Sequence, residues 1–259
     1  MFFNARKNAY NAGDGPVRYL DGSSLARPLD APKPQMMVMI GFIVAAAIIG
    51  GIFLFTIIDT VTHSAERTQA SIEQNLARPA STESLPNLAS LAALDDEGIR
   101  GTFAEAGYTV LDLTATEGDD AGVLDVVKLP DDVSELEAAA FYAKGISSLS
   151  AADATLLLNG SWRLTKDSDG SSGLRVKYAD FSSGSVVGAL QAAAAAEGFD
   201  LSTAGEPAED EAGNTYLAGS MDANGTTYNW RISAIALSDV YSVKGLPETA
   251  VYVGIRISQ

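Results

Sequence analysis

The 259-residue chain has no cysteine and a single histidine, His63, and its 17 Lys and Arg are outnumbered by 33 Asp and Glu. Without Cys there is no disulfide, no thiol nucleophile, no Cys-held zinc or iron–sulfur cluster and no Cys-linked lipid anchor. With one His, both a Ser-His nucleophile and a His-ligated zinc site would have to be built around His63. That residue follows closely on the longest apolar run, away from any Ser that a folded domain could orient, so it reads as a solvated side chain. Clustered cations are also scarce, and a net charge of −16 argues against a nucleic-acid partner, because affinity for phosphate backbones comes mainly from packed Lys and Arg. Asp167-Ser168-Asp169-Gly170 resembles the start of a calcium loop, but the twelfth position falls to Tyr178 or Val176 instead of Glu, so a hairpin turn is the expected reading. No cofactor or metal is expected.

What is present divides the chain in three. Residues 36–58 run 23 residues without a charge. A helix of that length spans about 34 Å against roughly 30 Å of hydrocarbon, so the run predicts a transmembrane helix whose direct partner is the lipid bilayer. Arg6, Lys7, Arg18, Arg27 and Lys33 precede it, and only Arg67 and Arg78 stand in the next twenty residues. The imbalance places the N-terminus in the cytoplasm and the rest outside a plasma membrane, crossed once. Residues 1–35, rich in Gly and Pro and lacking a helical or strand period, predict a disordered tail. Residues 59–259 carry 12 basic and 30 acidic side chains, an acidic domain of net −18. Within the apolar run, Ala46 with Gly50 and Ala47 with Gly51 put small residues four apart, a spacing that lets a second membrane helix, from this protein or another subunit, approach closely.

A Cys-free, Ala- and Asp-rich external domain fits a bacterial envelope protein better than a secreted vertebrate one. Asn159-Gly160-Ser161 and Asn224-Gly225-Thr226 match the glycosylation triplet, but both also carry Asn-Gly turn chemistry, which explains them without a glycan.

Residues 59–93 predict a stalk and linker. Val61, Ala65, Thr68, Ile72 and Leu76 recur at helical spacing up to Pro79, and the Ala, Ser and Pro-rich stretch to Ala93 reads as a spacer. The folded domain is expected over 94–259. Helices are predicted at 95–106, ended by Gly107; after Ser134, whose SELE run is a capping box with an apolar stripe of Leu136, Ala139, Ala140, Ala143 and Ile146; and at 185–197, ended by Gly198. Strands are predicted at 108–114, 123–129, 156–166, 174–181, 215–221, 226–237 and 250–257, the Asn224-Gly225 turn being the strongest hairpin signal. Together they predict an α+β domain, an antiparallel sheet with helices on one face. Two short echoes stand out. Glu105-Ala106-Gly107-Tyr108 resembles Ala196-Glu197-Gly198-Phe199, and Leu158-Asn159-Gly160-Ser161 resembles Leu217-Ala218-Gly219-Ser220. Coincidence of common helix-stop chemistry is the favoured explanation over a duplication.

The first hairpin carries the clearest candidate surface. Arg163, Thr165, Arg175 and Lys177 alternate against Trp162 and Val176, so they share one face and form a basic patch on an acidic domain. Arg163, Arg175 and Lys177 could grip an anionic envelope polymer or an acidic protein. A membrane-anchored, non-catalytic binding subunit of an envelope assembly is therefore the expectation. A carboxylate-dependent hydrolase of envelope glycans is the first alternative, since 30 external acids could supply a catalytic pair. A transmembrane sensor or recruiter is the second.

Overall fold

Capping chemistry starts most helices of the computed structural model, which describes residues 68–117, 122–166 and 173–259. The predicted tail, the apolar run with Ala46, Ala47, Gly50 and Gly51, His63 and the turn at 167–172 lie outside the described residues. Among the described residues no helix is long and apolar enough to cross a membrane. Helix α1 covers 68–76. Asn87 caps the single turn α2 (Leu88–Leu91), and the Asp95 carboxylate accepts the Gly98 N–H at 2.8 Å to begin α3 (Asp96–Glu105). Ser134, Ser150 and Ser185 perform the same task for α4 (Glu135–Lys144), α5 (Ala151–Leu158) and α6 (Val186–Glu197). An oxygen acceptor at this position satisfies an N–H that the helix itself leaves without a partner. Gly107 and Gly198, at φ +75° and +72°, turn the chain out of α3 and α6 through the left-handed conformation that glycine adopts without strain.

The strands are β1 (Val110–Asp112), β2 (Leu124–Lys128), β3 (Trp162–Lys166), β4 (Leu174–Asp180), β5 (Ala208–Glu209), β6 (Thr215–Ala223), β7 (Thr226–Ala236) and β8 (Val251–Ser258). They form one eight-stranded sheet, ordered β1-β2-β3-β4-β8-β7-β6-β5, in which every neighbouring pair is antiparallel. The predicted α+β class with an antiparallel sheet is thus observed. The edge strands are short, three residues in β1 and two in β5.

Alternation decides what each face does. One face buries Leu124, Val126, Trp162, Leu164, Val176, Trp230, Ile232, Val253 and Ile255 beneath α2, α3 and α6. The expectation that helices occupy one face only is corrected here. Val127, Ala179 and Tyr252 belong to the other face, and there Ala138 of α4 and Ala154, Leu157 and Leu158 of α5 join them in a second cluster. The helix α5 takes over residues 156–158, where the sequence predicts the start of a strand over 156–166, because Ser150 caps a run that can continue only as far as the Asn159-Gly160 turn. The stripe expected on α4 is also turned: Leu136 is 83% exposed, while Ala138 is buried and Phe141 and Tyr142 pack against the second cluster.

The two halves of the sheet repeat. Each is a helix followed by four consecutive strands laid from edge to centre: α3 with β1 to β4, then α6 with β5 to β8. The register repeats as well, through a row across the sheet of Val126, Leu164 and Val176 in one half and Ile255, Ile232 and Leu217 in the other. A local two-fold axis normal to the sheet therefore passes between Val176 and Ile255. Gly107-Tyr108 corresponds to Gly198-Phe199 and Trp162 to Trp230, with Tyr108 edge-on to Trp162 at 6.1 Å and Phe199 stacked on Trp230 at 4.7 Å. Coincidence of helix-stop residues does not account for matching strand order and register, so the repeat reaches well beyond the first pair of echoes. The second pair is not equivalent, since Gly160 precedes β3 whereas Gly219 lies inside β6. The segment with α4 and α5 stands between β2 and β3, where the other half has only the Asn224-Gly225 turn.

The chain read as a spacer is packed into the domain. Ile72 of α1 is buried in the second cluster, and the Asn75 amide donates to Ala152 O and Thr155 Oγ1 at 2.9 and 3.1 Å. Arg78 donates to Leu156 O and Asn159 O, and Trp162 Nε1 to Ser84 O at 2.7 Å. Leu88 and Leu91, the scattered leucines of that stretch, are core residues. Buried Asn159 donates its amide to Asn75 O, which occupies it within the fold.

Gly219 is where the second half admits no side chain. A Cβ there would stand 2.5 Å from Trp230 Cζ2 and 2.8 Å from Cε2, inside contact distance of a ring held by the core. Gly219→Ala should destabilise the fold by about 1–3 kcal/mol, as overpacking does. Urea unfolding of the full chain in detergent measures this, and an unchanged midpoint would contradict the packing.

Candidate functional site

The sheet face opposite α3 and α6 is covered at one end by α4 and α5 and bears a cluster of cations over the rest. Pairing of β3 with β4 sets Arg163 opposite Lys177 and Thr165 opposite Arg175, so the patch expected on the first hairpin is assembled on one face. Two further strands extend it. β8 sets Arg256 opposite Arg175, and β7 sets Arg231 opposite Arg256. Neither Arg256 nor Arg231 is singled out by the sequence, because both reach the patch through pairings with β4 and β8 that join distant parts of the chain. The signal available was the dipeptide Trp-Arg, present at 162–163 and again at 230–231.

Five of the twelve cations after residue 58 thus stand on four adjacent strands of an otherwise acidic domain. Like charges directly opposite one another destabilise a sheet, and Arg163/Lys177, Arg175/Arg256 and Arg231/Arg256 are such pairs. Two carboxylates offset part of the repulsion. Asp125 accepts from Arg163 Nε at 2.7 Å and from its Nη2 in a two-pronged pair, and Asp210 accepts from Arg231 Nη2 at 2.6 Å. Arg231 also lies 3.9 Å from the Tyr216 ring centre. The Arg163 and Arg231 side chains nevertheless remain 46% and 44% exposed.

Protonation follows from this crowding. The Asp125 hydrogen bonds raise the Arg163 pKa, so it is a permanent cation. Desolvation lowers the Lys177 pKa from its ordinary value, and repulsion from Arg175 and Arg163 lowers it further. Backbone N–H donation from Asn214 is foremost in pulling Asp210 below the usual carboxylate range.

Two open clefts meet on this surface. One, of about 430 Å³, is lined by Asp125, Arg163, Thr165, Arg175, Lys177 and Tyr252. The other, of about 340 Å³, is lined by Arg175, Lys177, Asp210, Arg231, Ser233 and Arg256. Arg175 and Lys177 belong to both, so the clefts form one track over the sheet. Tyr252, edge-on to Tyr241 at 5.6 Å, closes one end with aromatic surface.

Elsewhere several charged groups are tied to the fold. A cleft of about 590 Å³ beside Arg78 and Lys128 holds cations already bonded to backbone carbonyls, Lys128 to Gly160 O at 3.0 Å. Buried Asp180 accepts from the N–H and hydroxyl groups of Ser182 and Ser183, and buried Glu197 accepts from Leu88 N–H at 3.0 Å. Among the described residues no group of three or more His, Cys, Asp or Glu could hold a metal ion. No family model, curated protein or solved structure matches this chain, so the sheet face has to be read from its own chemistry.

Proposed function

We propose that this protein is a membrane-anchored, non-catalytic binding subunit of a bacterial envelope, held by the apolar run at 36–58, whose external domain takes an anionic partner on the open sheet face. The observation that carries this reading is the convergence of Arg163, Arg175, Lys177, Arg231 and Arg256 on one face of a domain with excess negative charge. Arginine forks match carboxylate and phosphate groups, and mutual repulsion among the five is relieved by an arriving anion. Hydrolysis by paired carboxylates has less support. Asp125 and Asp210, the acids lining the track, are each engaged by an arginine, and Asp210 is held below the usual carboxylate range, which works against its service as a proton donor.

The test is binding of anionic envelope polymers to the full-length protein in detergent, before and after the combined substitutions Arg163→Gln, Arg175→Gln and Lys177→Gln. Affinity should drop at least tenfold, and the native protein should lose affinity steeply with added salt, as ionic contacts do. Undiminished binding by the triple variant would refute the assignment.

A further inference from the structure

Resting on that reading, we infer that the face carries two equivalent anion subsites related by the internal two-fold axis, and that its ligand is a thin linear polyanion whose phosphate or carboxylate groups occupy both at once. The axis between Val176 and Ile255 maps Arg163 onto Arg231 and Lys177 onto Arg256. Each half thus presents the same element, an arginine on its third strand directly opposite a cation on its fourth: Arg163 with Lys177, and Arg231 with Arg256. Each also presents one carboxylate to its arginine, Asp125 in the first half and Asp210 in the second. These carboxylates come from different places in the repeat, Asp125 from β2 and Asp210 from the turn after β5. The same charge arrangement has therefore been reached in both halves by different residues, which core packing does not require.

The spacing follows from sheet geometry. The centres of the two cation pairs lie two strand spacings apart across the sheet and two residues apart along it, which is about 12 Å between backbone positions. Arg175 lies beside the axis and belongs to both clefts, where it can bridge the subsites. A globular acidic protein or an anionic bilayer would bring much of its charge against the acidic remainder of the domain, whereas a thin polymer meets only the track.

Two linked subsites predict a step with ligand length, because the second contact becomes intramolecular once a chain spans both. The probes are inorganic phosphate, a polyphosphate length series and a polygalacturonate length series, titrated against the full-length protein in detergent. Chains long enough to cover about 12 Å should bind about 100-fold or more tightly than shorter ones. Arg163→Gln with Lys177→Gln, and separately Arg231→Gln with Arg256→Gln, should each remove that step and leave short-chain affinity within a few-fold of native. If one pair abolishes all binding and the other changes nothing, the two-subsite inference fails while an anion-binding face stands. If neither pair matters, both fail. A step with polyphosphate alone identifies phosphate as the group read, and one with polygalacturonate alone identifies carboxylate. Polyglutamate binding tighter than either series would assign the face to an acidic peptide and overturn the polymer.

Discussion

Replacing Trp162 with alanine should lower stability by about 4 kcal/mol, the range found when a buried aromatic side chain is removed. Trp162 is 1% exposed, edge-on to Phe103 at 5.0 Å and to Tyr108 at 6.1 Å, and it joins α3 to the first half of the sheet. Its Nε1 also holds Ser84 O, so the substitution loosens the 3₁₀ turn Ser81–Ser84 together with the core. The equivalent Trp230 supplies a sharper comparison. Its Nε1 is buried without a hydrogen-bond partner, whereas the Trp162 Nε1 is satisfied. Trp162→Phe removes a bond that Trp230→Phe does not, and the latter also eliminates an unsatisfied donor. The first substitution should therefore be the more damaging by at least about 1 kcal/mol. Urea unfolding of both variants, followed by circular dichroism, gives the order. The reverse order would mean that the two tryptophans are not placed as described.

The second large effect depends on pH. Glu197 sits at the C-terminal end of α6, is 3% exposed, and has one carboxylate oxygen with no hydrogen-bond partner. Burial pushes its pKa up to about 7, against which the Leu88 N–H bond works only partly. The negative end of the helix dipole also disfavours an anion there. Because the pKa is higher in the folded chain than in the unfolded one, the folded state binds the proton more tightly. The associated stability is complete below the unfolded value of 4.5 and is lost as pH rises through about 7. The full swing amounts to about 3 kcal/mol. Glu197→Gln keeps an acceptor for Leu88 and cannot ionise. Its stability relative to the native chain should thus rise by about that amount between pH 4.5 and pH 8. A constant difference across that range would show that Glu197 does not carry the effect.

Where a structural signal was local, the amino-acid sequence displayed it. Ser134 caps the helix it was expected to cap, Asp95 and Ser185 stand at the predicted starts of theirs and cap them, Gly107 and Gly198 end theirs, and Asn224-Gly225 turns β6 into β7 with both residues at positive φ. Alternation placed Arg163, Arg175 and Lys177 on one surface because β3 and β4 are joined by a short connection. The signals that failed were those decided by distant partners. Alanine-rich α4 has a weak stripe, so the face it buries is chosen by Val127 and the α5 residues, and Leu136 is left in solvent. The leucines of 85–91 look like a spacer until α6 and β3 are present to receive them. The two-fold repeat was hidden by the insertion carrying α4 and α5, which changes the separation of equivalent residues from 91 at Gly107 and Gly198 to 68 at Trp162 and Trp230. Without constant spacing, a repeated Trp-Arg passes for chance.

The two borders of the sheet differ in what they offer a partner. A partner that joins by strand addition needs a run of free backbone N–H and C=O groups long enough to form a ladder. At one border β1 is three residues long, whereas at the other β5 covers only Thr215 and Tyr216 of nine-residue β6, so residues 217–223 form the outer margin of the sheet there. A margin of that length can template growth of one copy onto the next, the hazard that long edges carry when copies are crowded.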